Sequence, residues 1–418
     1  MQPDPLDVKF DMARKPIRQR WYLRPLTWAG SFPDVWARRL KIARHDVDGL
    51  KPPYLLLCTH MAFMDFKVTT AALFPYRANY VVAIDGFIGR EWLLRNAGGI
   101  CKRKFTNDLT VIKHIRQVIA NGDVLALYPE ARYSLIGTTS VLPGSLGKLV
   151  KMLGAPVAVL NIHGNYLNSP CWNLNKRKIP IAADFGRILT AEETAALPLS
   201  EINERIRTAF AYDEYRWQLE NQIRIDYPDN AKGLHKVLYQ CPNCLTEYLM
   251  DSDGNRLWCG HCKKEWVLSP LGQLNATQGE TEFSHPPDWY EFQRREVRRQ
   301  IEQGTYEVSD EVDVDSLPNA KGYINIGKGR LVHNLEGFSL EVATRRGPLS
   351  LKKTPASMYS CHIEYNYDAR GDCIDLSTLQ DTYYIYPLNL HNCVTKIALA
   401  TEELYACHQQ KKTSPDKG

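Results

Sequence analysis

Apolar and polar positions alternate along residues 54–189 in a pattern that repeats several times. Short apolar runs are separated by longer stretches whose apolar residues recur at helical spacing. The strand-like runs are 54–58, 79–84, 99–102, 123–128, 156–162 and 179–185, and the helical stretches between them are 64–74, 88–97, 108–120 and 145–153. Alternation of this kind predicts an α/β domain, over residues 51–228, with a mainly parallel sheet and flanking helices.

The second half of the chain has a different pattern, which predicts two further domains. Residues 235–268 form a short cysteine-containing module, and residues 288–410 begin and end with helical stretches. Between these helices, short β-type runs are split by Gly, Asn and Asp. We therefore expect a small β-rich domain closed by a C-terminal helix, and the order of its elements resembles that of a pleckstrin-homology-like barrel.

Length and composition agree with several domains. A chain of 418 residues is too long for one core, and its 44% hydrophobic and 24% charged residues are ordinary for a globular protein. No apolar run reaches the roughly 18–20 residues that cross a bilayer, and residues 1–9 lack the apolar core of a signal peptide. We therefore expect a cytoplasmic protein with no transmembrane helix, in solution or on the inner face of the membrane.

The net charge of +5 is too modest to indicate a partner, but its distribution is uneven. Residues 1–44 contain ten Lys or Arg against four Asp, interleaved with Trp, Tyr, Phe and Leu. This mixture is typical of a segment that lies in an anionic membrane interface. The alternative is a helix that packs its aromatic residues on the core and leaves its arginines in water. Residues 1–50 are thus a basic aromatic segment with two open interpretations.

Four of the eleven cysteines form two CxxC knuckles, Cys241-Pro-Asn-Cys244 and Cys259-Gly-His-Cys262. Each knuckle turns two thiolates toward one ion, and two knuckles complete a tetrahedral shell with no open position. The pattern predicts structural zinc in a ribbon. The other seven cysteines are scattered singly, which is typical of a reducing compartment. Because the charges near the knuckles are mixed, we expect no nucleic-acid partner.

The strongest candidate for chemistry is the pair His60 and Asp65, just past the apolar run 54–58. Open α/β sheets hold their ligands at the carboxyl ends of their strands. An aspartate in the first turns of the next helix can orient one ring nitrogen and leave the other free as a general base. The alternative is a structural pair with no catalytic role.

A second segment combines glycines and cations. Gly98 and Gly99 lead into a short strand that ends in Lys102, Arg103 and Lys104, a cluster suited to a phosphate group. The alternative is a solvated strand end.

A third segment follows the run 123–128. There Glu130 would accept hydrogen bonds from substrate hydroxyls, and Arg132 would hold a phosphate in bidentate fashion. The alternative is an internal Glu–Arg pair that pins the loop.

Taken in order, these segments resemble the lysophosphatidate (1-acylglycerol-3-phosphate) acyltransferase family. That family carries His-x4-Asp, a Gly-x4-Arg strand end, Phe-Pro-Glu-Gly-Thr-Arg and an apolar strand led by proline. The corresponding segments here all lie between residues 54 and 165: His60 with Asp65, Gly98 with Arg103 or Gly99 with Lys104, Tyr128 to Ser134, and Pro156 with the run that follows it. The third motif departs from the family, since its glycine is Ala131 and its arginine falls one residue early.

The resemblance implies a glycerolipid acyltransferase-like fold and an activity in phospholipid biosynthesis. A fatty acyl group would move from acyl-CoA or acyl carrier protein to a hydroxyl of glycerol phosphate or a lysophospholipid, above all 1-acylglycerol-3-phosphate. His60 would be the base, Asp65 its orienting acid, and the second and third segments would bind the acceptor. The competing interpretation is a non-catalytic zinc-containing lipid-binding or adaptor protein on a degenerate acyltransferase fold.

Overall fold

The computed structural model describes residues 4–413 and the side chains of residues 4–411. Residues 1–3 of the predicted N-terminal segment lie outside this range. The first half of the chain alternates strands and helices, as its pattern predicts. In chain order these are α1 (Leu23–Ala37), β1 (Lys41–His45), β2 (Tyr54–Cys58), α2 (Asp65–Leu73), β3 (Ala78–Ala83), α3 (Glu91–Asn96), β4 (Ile100–Lys102), α4 (Leu109–Ala120), β5 (Val124–Leu127), α5 (Leu146–Leu153), β6 (Val157–His163), α6 (Asn165–Asn168), β7 (Ala182–Leu189), α7 (Ala191–Ala196), α8 (Leu199–Ala209) and α9 (Glu214–Glu220).

The seven strands form one sheet in the order β1-β7-β6-β2-β5-β3-β4. All neighbours run parallel except β6 and β7, so the prediction of a mainly parallel sheet with flanking helices is confirmed. β2 lies at the centre, and its five residues are all buried. This explains why it is a continuous apolar run, since a strand covered on both faces has no polar side. The carboxyl ends of β2, β3, β4, β5 and β6 meet at one edge, called here the carboxyl edge.

The N-terminal segment contains one strand that the hydrophobic pattern did not predict. β1 pairs with β7 at the end of the sheet, and four of its five residues are exposed. A short edge strand with little buried surface carries no apolar run, which is why the pattern missed it.

The cysteine-containing module is a four-stranded antiparallel sheet. Its strands are β8 (Met250–Asp253), β9 (Arg256–Cys259), β10 (Glu265–Leu268) and β11 (Leu274–Ala276), in the order β11-β10-β9-β8. Trp266 on β10 is completely buried and packs edge-on against Trp289 at 4.8 Å between ring centroids. The module therefore shares its core with the next domain.

The last region contains a β-rich sheet between two helices, and it is called here the β-rich domain. Its elements are α10 (Pro286–Glu302), β12 (Glu307–Ser316), β13 (Ile324–Asn334), β14 (Gly337–Thr344), β15 (Gly347–Lys353), β16 (His362–Glu364), β17 (Cys373–Ser377), β18 (Thr382–Pro387) and α11 (Val394–Thr413). The strands form one antiparallel sheet in the order β15-β14-β13-β12-β18-β17-β16. A pleckstrin-homology-like barrel stays a prediction.

Two findings concern the whole range of described residues. No helix between residues 4 and 413 is long and apolar enough to cross a membrane. All eleven cysteines lie in this range and are free thiols.

Candidate active site and metal centre

His60 and Asp65 contact each other at the carboxyl edge. Asp65 is the first residue of α2, and its Oδ2 accepts a hydrogen bond from His60 Nδ1 at 3.0 Å. The same oxygen accepts the backbone N–H groups of Met61 at 2.7 Å and Ala62 at 3.1 Å. The carboxylate is therefore held by the loop that it faces, at a helix N-terminus that favours its negative charge.

The two partners differ in exposure in a way that suits a general base. The Asp65 side chain is 1% exposed, whereas that of His60 is 24% exposed. Because Nδ1–H donates to Asp65, the lone pair of the neutral ring lies on Nε2, and none of the described residues hydrogen-bonds that atom. The ring thus has one nitrogen fixed by the protein and one available to a ligand.

Two tyrosine rings pack against the imidazole. The ring centroids of Tyr128 and Tyr133 lie 4.5 and 4.4 Å from that of His60. Both tyrosines belong to the loop after β5, and the Tyr128 hydroxyl shares a hydrogen bond of 3.0 Å with Thr69 Oγ1 on α2. This packing restricts the ring of His60 to a narrow range of orientations.

Glu130 joins the same site, although it contacts backbone and not an open pocket. One carboxylate oxygen accepts the N–H of His60 and the other accepts the N–H of Ser140, both at 2.7 Å. Burial raises the pKa of Glu130 to about 7, against these two hydrogen bonds. Glu130 therefore ties the loop after β5 to the loop after β2, and contact with substrate hydroxyls stays a prediction.

Asn165 is a site residue that the sequence analysis missed. Its side-chain N–H donates to Asp65 Oδ1, the oxygen that His60 does not use, and the residue is completely buried. Asn165 follows β6, which lies beside β2, so its position comes from the sheet order. The signal available in the sequence was a polar residue directly after a glycine. In the structure that glycine, Gly164, adopts a left-handed backbone with φ of +81°.

The predicted glycines do not lie at this site. Gly98 and Gly99 precede β4 and so lie at the opposite edge of the sheet from His60. A Cβ on Gly98 would approach Asn79 to 2.7 Å, and one on Gly99 would approach the Leu94 carbonyl to 2.9 Å. Close packing accounts for both glycines without a ligand.

Lys102 and Lys104 end and follow β4 on the carboxyl edge. Lys102 Nζ donates to the Thr106 carbonyl at 2.8 Å, and burial lowers its pKa. Lys104 Nζ lies 3.1 Å from Asp85 and 3.3 Å from Asp375 on β17. The structure thus brings Lys104 to the β-rich domain.

Arg103 also contacts the β-rich domain instead of open space. It is 1% exposed, and its two terminal nitrogens donate four hydrogen bonds of 2.9–3.0 Å. The acceptors are the carbonyls of Leu317, Pro318 and Gln380 and the Thr382 hydroxyl. This arrangement differs from the predicted phosphate contact.

Arg132 lies in the loop that holds the imidazole, but its partner is on α11. Its Nη2 donates to Glu402 Oε1 at 2.6 Å, and the two side chains are 3% and 1% exposed. The preceding Ala131 has φ of +57°, in the left-handed region that favours glycine. The backbone therefore keeps a glycine-like turn at the position where the resembled family has glycine.

Cys58 shows no sign of a nucleophile. It lies at the end of β2 with no exposed surface, and burial raises the pKa of its thiol far above the ordinary value. A thiol that stays protonated in an apolar core is inert.

The four knuckle cysteines meet at one point. The sulfurs of Cys241, Cys244, Cys259 and Cys262 all lie within 4.8 Å of one another, and two of the pairs are 3.7 Å apart. A tetrahedral zinc site with bonds of about 2.3 Å has sulfurs about 3.8 Å apart. The donor set and its spacing therefore fit a metal ion, and His261 is outside the group.

The N-terminal helix leaves part of its apolar surface exposed. Trp28, Phe32, Trp36 and Phe74 form a connected set, with successive ring centroids 5.1–5.5 Å apart. Trp36 is 71% and Phe74 49% exposed, and we call this set the aromatic face. Phe32 packs against the core while Trp36 stays exposed, so both interpretations of this segment remain open.

No family model and no curated protein matches the sequence. Among solved structures, the chain is similar to the 1-acyl-sn-glycerophosphate acyltransferase PlsC from Thermotoga maritima, at 13% identity and a TM-score of 0.38, over 49% of this chain and 82% of that one. It is also similar to a structure from work on SsgB of Streptomyces coelicolor, at 11% identity and a TM-score of 0.14, over 26% of this chain and 88% of that one. At these values neither likeness assigns a function.

Proposed function

We propose that the protein is an O-acyltransferase that moves a fatty acyl group from an acyl thioester to a hydroxyl group. The observation that carries the proposal is the pairing of His60 Nδ1 with a buried Asp65, which leaves Nε2 as the free basic atom of a partly exposed ring. The order of the motifs along the chain supports the same reaction.

In this mechanism His60 Nε2 takes the proton of the acceptor hydroxyl as its oxygen attacks the acyl carbon. The carbon–oxygen ester bond forms, the carbon–sulfur bond breaks, and the leaving thiolate takes the proton back from His60. Asp65 stabilises the imidazolium that exists between these two transfers, and Asn165 and two backbone N–H groups keep Asp65 oriented. The acceptor is itself the nucleophile, so no acyl-enzyme is formed.

The aromatic face is proposed to contact the cytoplasmic surface of a membrane, where lysolipid and acyl chains reside. Exposed Trp and Phe side chains bury favourably at the headgroup level, and the N-terminal basic excess attracts anionic lipid. The acyl donor, acyl-CoA or acyl carrier protein, would reach the site from the aqueous side.

The four cysteines are proposed to hold structural zinc. Four thiolates complete the tetrahedral shell, so the ion would stabilise the module and take no part in acyl transfer.

The test is a thiol-release assay with the purified protein. Oleoyl-CoA and oleoyl-acyl carrier protein are each crossed with hydroxyl acceptors, and the acylated product is measured beside the thiol. We expect release that depends on an acceptor, and we expect Cys58→Ala to retain it because Cys58 is buried. A stable acyl adduct on the protein would contradict direct attack.

The non-catalytic alternative has one observation in its favour, which is that Arg103 and Arg132 contact the β-rich domain. It predicts binding of lipid vesicles with no thiol release for any donor and acceptor.

A further inference from the structure

Three of the four cations expected to bind an acceptor phosphate contact the β-rich domain, namely Arg103, Lys104 and Arg132. The two terminal nitrogens of Arg103 donate all four of their N–H groups to hydrogen bonds with that domain. Its Nε is buried without a partner, so a ligand has no exposed donor to meet.

The surroundings of Arg132 are closed in the same way. Glu402 accepts from Arg132 at 2.6 Å, from Arg294 at 2.8 Å and from the Ser360 hydroxyl at 2.7 Å. Burial opposes ionisation, but the two arginines hold the pKa of Glu402 below its ordinary value. The other two nitrogens of Arg132 are buried without partners, out of reach of a ligand unless α11 moves.

Lys104 is neutralised from two sides. Its Nζ lies between Asp85 and Asp375, and both ring nitrogens of His362 are 3.1–3.2 Å away. The side chain is 11% exposed, and His362 pairs with Asp375 at 2.8 Å. Of the four predicted cations, Lys102 and Arg103 have no acid partner, and Lys102 is half-buried against the Thr106 carbonyl.

A phosphate group needs uncompensated positive charge. Each of the two charge-paired cations, Arg132 and Lys104, already has a carboxylate, and Arg103 is saturated by neutral acceptors. The group that orients the His60 ring is itself a carboxylate, Asp65. A phosphate dianion placed beside it would meet repulsion. Of the four motif cations, only Lys102 could offset that charge, and its Nζ already donates to the Thr106 carbonyl.

The aromatic rings beside His60 also favour an acceptor without a phosphate group. His60 lies against the rings of Tyr128 and Tyr133, whose faces are apolar. Such a lining suits a lipid hydroxyl.

We propose that the acceptor is an uncharged lipid alcohol, of the acylglycerol class, and that Arg103, Lys104 and Arg132 anchor the β-rich domain. This inference rests on the proposed acyl transfer. Chemically, the acceptor O–H gives its proton to His60 Nε2, its oxygen forms the ester bond, and the thiol of the donor leaves with that proton.

The test compares matched acceptors on the chain of 418 residues, with its zinc content measured. 1-Oleoylglycerol is paired with 1-oleoylglycerol 3-phosphate, and glycerol with glycerol 3-phosphate, each with oleoyl-CoA and with oleoyl-acyl carrier protein. We expect kcat/KM for 1-oleoylglycerol to exceed that for its phosphate by at least about tenfold. Preference for the phosphorylated member would overturn the inference and leave acyl transfer standing, whereas no transfer to any acceptor would overturn both.

A paired variant gives a second test. Arg132→Met combined with Glu402→Met replaces the buried ion pair by apolar side chains of similar length. We expect the acceptor preference of the folded variant to equal that of the wild type. A selective loss of transfer to the phosphorylated acceptors would show that Arg132 binds phosphate and would overturn the inference; if the variant does not fold, the wild-type comparison decides alone.

Discussion

Two groups of polar residues lie at the carboxyl edge of the same sheet, and they differ in their partners. His60 and Asp65 are five residues apart, bond to each other and leave one imidazole nitrogen free. Arg132 and Glu402 are 270 residues apart, and both are buried. The first pair keeps a reactive atom for a ligand, whereas the second joins two domains. A motif residue at a catalytic edge is thus not by itself a substrate ligand.

The largest expected change in the free energy of unfolding tests whether Arg132 anchors the β-rich domain. Glu402→Ala leaves the Arg132 guanidinium buried without its acid, which should lower the free energy of unfolding by about 3–5 kcal/mol. Glu204→Ala, which removes the acid of an exposed pair with Arg207, should change it little. Chemical denaturation measures both. Equal small effects would show that Arg132 is not a structural anchor.

Glu130 connects the two groups and predicts a pH dependence. Its pKa in the folded protein is about 7, above the ordinary value of 4.5, so the folded state binds this proton more tightly than the unfolded chain. The stabilisation that comes from this bound proton is fully present below about pH 4.5 and is lost as the pH rises through about 7. The difference between the two pKa values corresponds to about 3 kcal/mol in the free energy of unfolding. The free energy of unfolding of the wild type, measured against Glu130→Gln, should fall over this range. A difference that rises or stays flat would contradict the burial of Glu130.

The smallest expected change in the free energy of unfolding comes from the turn at Ala131, directly before Arg132. Ala131→Gly should raise the free energy of unfolding by about 0.5–1 kcal/mol, because glycine adopts the left-handed conformation without strain. The control, Ala195→Gly on the exposed surface of α7, should lower it by about 1 kcal/mol. If both substitutions destabilise the protein equally, Ala131 does not have the left-handed backbone described here.

Local patterns predicted the first half of the fold well. Buried parallel strands are continuous apolar runs, and each predicted strand from 54–58 to 179–185 overlaps an observed one. In the β-rich domain the sequence predicts β-type runs at 322–326, 330–334, 339–342, 360–367 and 382–386, so β12, β15 and β17 were not predicted. β12 alternates buried residues such as Val312 and Val314 with acidic ones, because only one face of an antiparallel sheet packs on the core.

In the candidate site, the contacts between residues close in sequence were predicted, and the contacts between distant residues were not. The bond between His60 and Asp65 is local, since both residues lie between β2 and the start of α2, so spacing was enough to predict it. Asn165 reaches Asp65 because β6 lies beside β2, and Arg103 meets Leu317 because a distant domain packs there. Contacts of this kind depend on tertiary packing, which single-sequence spacing does not encode.

The most direct test of the central claim is the rate of acyl transfer by His60→Gln. With fold and metal content equal to those of the wild type, we expect a loss of about 10²–10⁴-fold, because the only change is removal of the base. His45→Gln, at an exposed histidine on β1 that pairs with Asp184, is the control and should keep the wild-type rate. Transfer by His60→Gln at close to the wild-type rate would contradict the assignment of His60 as the general base.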